Sequence, residues 1–181
     1  MKHKLFSLYV FAIFGLAASC QKAPGNLNNS CATEPENIAI AARLLTLPDA
    51  EKIMGEPAKL SCNTFIKKGD TLEYKCDYTA LQRDAKTGKT GKLYFMYEIY
   101  NGTSSAASSY KAIYEANRIH EGVEVVKDLG SEAYYHTDGT GFYFYLVRKN
   151  EKMFRLKLNK ITSHSSALQF KTVTKQIADK L

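Results

Sequence analysis

The chain has no tryptophan, four prolines and four cysteines in 181 residues. It contains no Cys-x-x-Cys pair and no histidine near any cysteine, which argues against a zinc site of the usual spacing. No Gly-x-Ser-x-Gly elbow, His-Glu-x-x-His pair, phosphate-binding Walker loop or Gly-x-Gly-x-x-Gly fingerprint occurs. Lysines and arginines never run five or six together, and the excess charge is spread along the chain. No apolar run reaches the ~18–20 residues needed to span a bilayer as a helix. These gaps exclude a multi-pass membrane protein, a collagen, a coiled coil and the best-marked enzyme classes. They lead to the expectation of a protein without cofactor or metal, not an enzyme, and without a nucleic-acid partner.

What is present begins at the N-terminus. Lys2 and Lys4 precede a 14-residue apolar run, Leu5 to Ala18, interrupted only by Ser7. Its length suits the hydrophobic region of a secretory signal. The run Leu16-Ala17-Ala18-Ser19-Cys20 resembles the lipobox of bacterial lipoprotein precursors, with Leu four residues before the cysteine instead of three. The resemblance implies cleavage after residue 19 and diacylglycerol and palmitate chemistry at Cys20. Ala17-x-Ser19 also suits an ordinary signal peptidase, which would leave Cys20 a thiol. The expected location is the bacterial cell envelope, anchored to a membrane through the lipid, the outer membrane ahead of the inner. Removing residues 1–19 takes away two lysines and no acids, so the formal charge falls from +7 to +5.

Residues 20–32 are polar and turn-rich, the composition of a flexible tether. A single domain is then expected over 33–181. Thr33-Glu34-Pro35-Glu36 fits a capping box, followed by a helix from Asn37 to Leu45. Pro48 restarts a short helix, Asp49 to Met54, closed by Gly55. Ala58–Phe65 and Thr71–Ala80 read as strands around a Lys67-Lys68-Gly69-Asp70 turn, with a third strand at Lys89–Tyr100. That third strand carries apolar groups on both faces and is expected to be central and covered on both sides. Asp84 to Gly91 reads as a long exposed loop. A helix from about Ser104 to Ile119 follows, then strands at Val123–Val126, Glu132–His136, Gly141–Lys149 and Lys152–Asn159. An amphipathic helix ends the chain, with Leu168, Phe170, Val173, Ile177 and Leu181 on one face. Strand runs between isolated helices argue for an α+β fold with a mainly antiparallel sheet.

The segments Gly55-Glu56-Pro57-Ala58, Cys76-Asp77-Tyr78 and Leu129-Gly130-Ser131-Glu132-Ala133-Tyr134, with the C-terminal helix, together resemble small bacterial lipoproteins with a PsbP-like α+β fold. The likeness spans roughly residues 46–181. It implies a fold and supplies no functional residue.

With Cys20 lipidated, Cys31, Cys62 and Cys76 remain, an odd number for an oxidising compartment. A turn centred on Gly69 makes opposing residue numbers sum to 138, as Cys62 and Cys76 do. A Cys62–Cys76 disulfide is therefore expected, with Cys31 spare; Cys31 bridging one of the other two is the alternative.

His136 with Asp138 and Ser131 is the only local triad candidate. Its position at a turn favours a structural role. Glu121, Glu124 and Asp128 suit a solvated connection better than an acid/base set, and Ser104, Ser105, Ser108 and Ser109 suit a helix start. Tyr134, Tyr135, Tyr143 and Tyr145 cluster on successive strands, either as strand packing or as a recognition surface.

If Phe144 opposes Leu156, the apolar residues segregate to one face, and Tyr143 and Tyr145 form a more polar candidate binding face. The expected function is a non-enzymatic binding module for an envelope protein or a polysaccharide. The alternative is a carrier or sensor of a small apolar ligand held between sheet and helix.

Overall fold

A computed structural model describes residues 34–181. Within them four helices and seven strands alternate: α1 (Glu34–Leu44), α2 (Leu47–Met54), β1 (Ala58–Lys68), β2 (Thr71–Ala80), β3 (Lys92–Ile99), α3 (Thr103–Asn117), β4 (Val123–Val125), β5 (Glu132–Thr137), β6 (Phe142–Lys149), β7 (Lys152–Asn159) and α4 (Ala167–Lys180). The strands form one sheet in the order β1-β2-β3-β7-β6-β5-β4, and every neighbouring pair is antiparallel. The fold is thus an antiparallel sheet with helices against it, as the strand-and-helix order predicts. Only the return of β7 onto β3 breaks the run of sequential neighbours, so β3 is internal, as expected.

Local chemistry sets the helix ends. Thr46 caps α2: its hydroxyl accepts from Asp49 N–H while the Asp49 carboxylate accepts from Thr46 N–H, a capping box that the sequence reading missed. Gly55 closes the helix at φ +70, and a Cβ there would meet the His164 carbonyl oxygen at 2.1 Å. At α3, by contrast, Gly102 is the N-cap and no serine side chain caps the helix. The Thr33 capping box expected ahead of α1 includes a residue outside the described ones.

One face of the sheet carries the main core. Tyr74, Cys76, Leu93, Phe95, Tyr145, Val147, Phe154, Leu156 and Leu158 bury themselves there with α1, α2 and α4. Ile53 and Met54 of α2 and Phe170, Val173 and Ile177 of α4 are all buried. Leu168, expected on the apolar stripe of α4, is instead 71% exposed. It lies in the first turn, where the stripe runs past the edge of the core.

Among the described residues the opposite face is covered over only part of its width. There α3 packs on β6 and β7, and Tyr110 joins Tyr134, Leu146 and Met153 in a second, smaller core.

Candidate functional site

The uncovered part of that second face is the most distinctive surface of the molecule. Strand registers assemble it in rows. Thr64, Lys75, Met96 and Arg155 stand side by side across β1, β2, β3 and β7. The next row is Cys62, Asp77, Tyr94 and Lys157, and beyond it Lys59, Thr79 and Lys92. Adjacent strands differ sharply between faces: Tyr74, Cys76, Phe95 and Tyr97 are buried, while Lys75, Asp77, Tyr94 and Met96 stay half-exposed. The third strand is therefore central, and among the described residues helices pack extensively on only one side of it. Among the described residues α3 packs mainly on β6 and β7, and no helix makes an extensive contact with this face of β2 or β3.

Two carboxylates sit beneath the cations of this face. Glu73 and Glu98 are directly opposed across β2 and β3, and both are buried. Glu73 lies 2.7 Å from Lys75 Nζ and 3.2 Å from Lys68 Nζ. Burial acts to raise its pKa, but these two ammonium groups outweigh it and hold the carboxyl below its ordinary value. Glu98 lies 3.1 Å from Arg155 Nη2. Here burial dominates over the Arg155 charge and the Tyr100 hydroxyl, and the pKa is raised. The Glu98–Arg155 contact is a charge pair without an aligned hydrogen bond at Glu98 Oε2 or Arg155 Nε. Like-charge neighbours thus divide their roles: Glu73 holds its charge and Glu98 yields a proton less readily.

Under α3 the surface changes character. Tyr110, Tyr114, Tyr134 and Phe144 pack ring on ring at centroid distances of 5.5–6.2 Å. Beside them an open cleft of about 470 Å³ runs between α3 and residues 125–133, lined by Tyr110, Tyr114, Leu129 and Ala133 with Lys127, Asp128 and Glu132.

The structure corrects the expected Cys62–Cys76 bond. The β1–β2 turn is Gly69-Asp70, with Gly69 at φ +58 in the first central position, so Lys68 opposes Thr71. Cys62 then pairs with Asp77, and Cys76 with Asn63. Neighbouring positions on a strand point to opposite faces, so the two sulfurs are separated by the sheet itself. The expected register does hold nearer the strand end, from Ala58 to Leu60, after a shift between Leu60 and Cys62. Cys76 is a free, buried thiol whose pKa burial pushes up to about 12. Cys62 is disulfide-bonded, but not to Cys76.

The Tyr143 and Tyr145 face is corrected by the same kind of register change. Lys149 opposes Lys152 across a two-residue Asn150-Glu151 turn, with Asn150 at φ +56, so Phe144 pairs with Lys157 rather than with Leu156. Tyr145 pairs with Leu156 in the main core, and Phe170 of α4 lies 5.6 Å from the Tyr143 ring and 5.8 Å from the Tyr145 ring. These tyrosines are packing residues under a helix. Phe144 and Leu156 face opposite sides. Segregation of apolar from charged residues misleads here because both faces of β6 and β7 are covered, and Lys157 lays its ammonium over the Phe142 ring at 5.1 Å.

The remaining candidates do not converge. Asp138 accepts hydrogen bonds from Thr140, Gly141 and Phe142 N–H at the β5–β6 turn. His136 stacks on His120 at 6.0 Å, and Ser131 Oγ accepts from Asn150 N–H. His136, Asp138 and Ser131 thus serve separate local structures. Glu121, Glu124 and Asp128 are exposed along the connection. Asp84, expected in an exposed loop, is buried; it accepts from Lys86 and Thr87 N–H, from Ser163 N–H and from the Thr87 and Ser163 hydroxyls. Among the described residues no group of three or more His, Cys, Asp or Glu could hold a metal ion. Cys20, the lipidation candidate, lies outside the described residues, as do Cys31 and the whole 1–32 segment. Among the described residues no helix is long and apolar enough to cross a membrane.

No family model, curated protein or solved structure matches this chain.

Proposed function

We propose that the protein is a bacterial cell-envelope lipoprotein, held to a membrane through Cys20, whose α+β domain is a non-enzymatic binding module. The observation that carries the anchor is the positive start, short apolar run and small residues leading into Cys20. Support for the binding role comes from the second sheet face, where half-buried Met96 stands between Lys75 and Arg155 and half-buried Tyr94 between Asp77 and Lys157, with no extensive helix packing there among the described residues. The partner is an envelope protein or a polysaccharide. The outer membrane is the favoured location. The PsbP-like resemblance concerns fold alone and assigns no residue to this role.

The test has two arms. Cys20→Ser should move the protein from the membrane to the soluble envelope fraction, and intact mass should show a diacylglycerol on the wild-type N-terminus; an unmodified Cys20 in membrane fractions refutes the anchor. Crosslinking in intact cells with photoreactive groups at positions 75 and 94, compared with a group at position 175 on α4, should capture a partner only from the sheet face. Equal capture from all three positions refutes the binding role of that face.

The second reading, a carrier or sensor of a small apolar ligand, is favoured by one feature. The cleft beside α3, about 470 Å³ and partly walled by Tyr110, Tyr114 and Leu129, falls within the ~300–1,000 Å³ typical of ligand sites. Mass spectrometry of organic extracts from the purified protein decides it: a stoichiometric lipid-like ligand supports the carrier, and its absence refutes it.

A further inference from the structure

We infer that residues 31–33 form a covalent strap across the free edge of β1, fastened by a Cys31–Cys62 disulfide, and that the strap closes this edge to a second copy of the chain. The choice of Cys31 rests on the lipid-anchor reading, which commits Cys20 to the membrane.

The first support is the sulfur inventory. Cys62 is disulfide-bonded, and Cys76, the other cysteine among the described residues, is a free buried thiol. With Cys20 acylated, Cys31 is the sulfur left for Cys62. Forming the bond takes two electrons and two protons from the two thiols. A disulfide of the oxidising envelope receives them by exchange and leaves as two thiols.

The second support is topology. Ala41, Leu44 and Leu45 bury themselves in the main core, and the Tyr78 hydroxyl of β2 donates to the Leu45 carbonyl at 3.0 Å. Helix α1 therefore lies on the main-core face. Cys62 opposes Asp77, the chain neighbour of the core residue Cys76, so its sulfur points to the other face. Cys31 stands three residues before Glu34, where α1 starts, and three residues span at most ~11 Å. Within that length the chain passes from one face of the sheet to the other. β1 is an edge strand, so the way round its free side is direct. The way round the strand end at Ala58 adds roughly 13 Å, more than three residues supply.

The third support is the edge itself. β4 closes one side of the sheet with three residues, whereas β1 on the other side has 11. No strand pairs with the outer side of β1 among the described residues, and Leu60 and Ile66 are exposed on it. A long edge with exposed apolar groups is a template for a strand of another copy, and lysines are a common guard against it. Here Lys59, Lys67 and Lys68 stand at the two ends, and the stretch from Leu60 to Ile66 carries no charge. Cys62 lies in that unguarded stretch, beside the register shift between Leu60 and Cys62. A strap there divides the edge into two short pieces.

The test uses the full-length protein in detergent with a photoreactive residue at position 64, two places along β1 from Cys62. Non-reducing peptide mapping should join Cys31 to Cys62, and illumination of the oxidised protein should crosslink position 64 to residues 31–33. Reduction and capping of the two thiols, with the far-UV spectrum unchanged, should abolish that crosslink and raise capture of a second copy by about tenfold or more. Ile66→Lys should return capture to the oxidised level, while Leu168→Lys, on an exposed apolar site of α4, should change it less than about twofold. Equal capture of a second copy before and after reduction, or no crosslink to residues 31–33, overturns the inference. Lipid on Cys20 with Cys62 joined to another copy overturns the strap and leaves the anchor reading standing. Unmodified Cys20 beside an intact Cys31–Cys62 bond supports the strap and overturns the anchor reading alone, and a Cys20–Cys62 bond overturns both.

Discussion

The two faces of the central strands are made from alternate residues of the same short sequences, yet they obey different rules. On β3, Leu93, Phe95 and Tyr97 are nearly or fully buried, whereas Tyr94 and Met96 between them are half-exposed. All five are apolar or aromatic, so hydrophobicity does not separate them; only the helices that cover one side do. Because α1, α2 and α4 all lie against one face and α3 reaches only part of the other, the sheet keeps an apolar strip among its cations. Tyr94 and Met96, only half-buried among charged neighbours, are the feature that supports the proposed partner.

The largest expected effect breaks this comparison directly. Phe154→Ala, which empties a fully buried site packed against Phe95 at 6.0 Å, should cost about 3–5 kcal/mol. Met96→Ala, on the other face, should cost less than about 1 kcal/mol. Urea unfolding of both variants measures the difference. Similar losses would mean that both faces are buried alike.

The cysteines divide between the faces as well. Cys76 is free in the core and Cys62 is disulfide-bonded; with Cys20 read as acylated, non-reducing peptide mapping should join Cys62 to Cys31. Reduction should then cost about 3–4 kcal/mol on the loop-entropy account, while Cys76, with its pKa near 12, stays unlabelled by iodoacetamide until the protein unfolds. A Cys62–Cys76 peptide would overturn the register described for β1 and β2.

A smaller effect is expected at Asp84, which ties the loop after β2 to Ser163 ahead of α4. Hydrogen bonds from Thr87, Ser163 and Lys86 hold its carboxyl well below the ordinary range. A depressed folded pKa means that this stabilisation is complete above the unfolded value near 3.9 and is lost as pH falls through the folded one. Asp84→Asn should therefore lower Tm at pH 7, by less than Phe154→Ala does, and the gap from wild type should shrink as the solution is acidified. A gap that does not change with pH would assign the loss to packing alone.

Element types were legible because period-two and helical patterns are strong over β2, β3, β7, α3 and α4, and because Gly55 and Pro48 mark ends. Register was not. Both hairpin misreadings came from a turn one residue shorter than assumed, Gly69-Asp70 and Asn150-Glu151, and a slip of one residue moves every side chain to the other face. The slip at the first turn accounts for the expected disulfide, and the slip at the second for the expected tyrosine surface. The buried role of Asp84 was hidden for another reason: its partner Ser163 is 79 residues away, and nothing in either local segment announces the pairing.

The smallest expected effect concerns Glu98 on the open face. Burial raises its pKa in the fold, with the Arg155 charge opposing. A raised folded value for an acid means that the folded state binds the proton more tightly than the unfolded chain does. Stability contributed by this group is therefore greatest below the unfolded value near 4.3 and declines as pH rises through the folded value. Glu73 across the ladder runs the other way, since Lys75 and Lys68 hold it below its ordinary value. Glu98→Gln should remove the Glu98 decline while changing stability at pH 7 by less than about 1 kcal/mol, because Arg155 keeps access to water. Chemical unfolding at pH 4, 5.5 and 7 compares the two proteins: wild type should lose more stability than the variant between the first and last. An identical pH profile would mean that Glu98 ionises as freely as an exposed carboxylate, and that the open face is wetter than its neighbours imply.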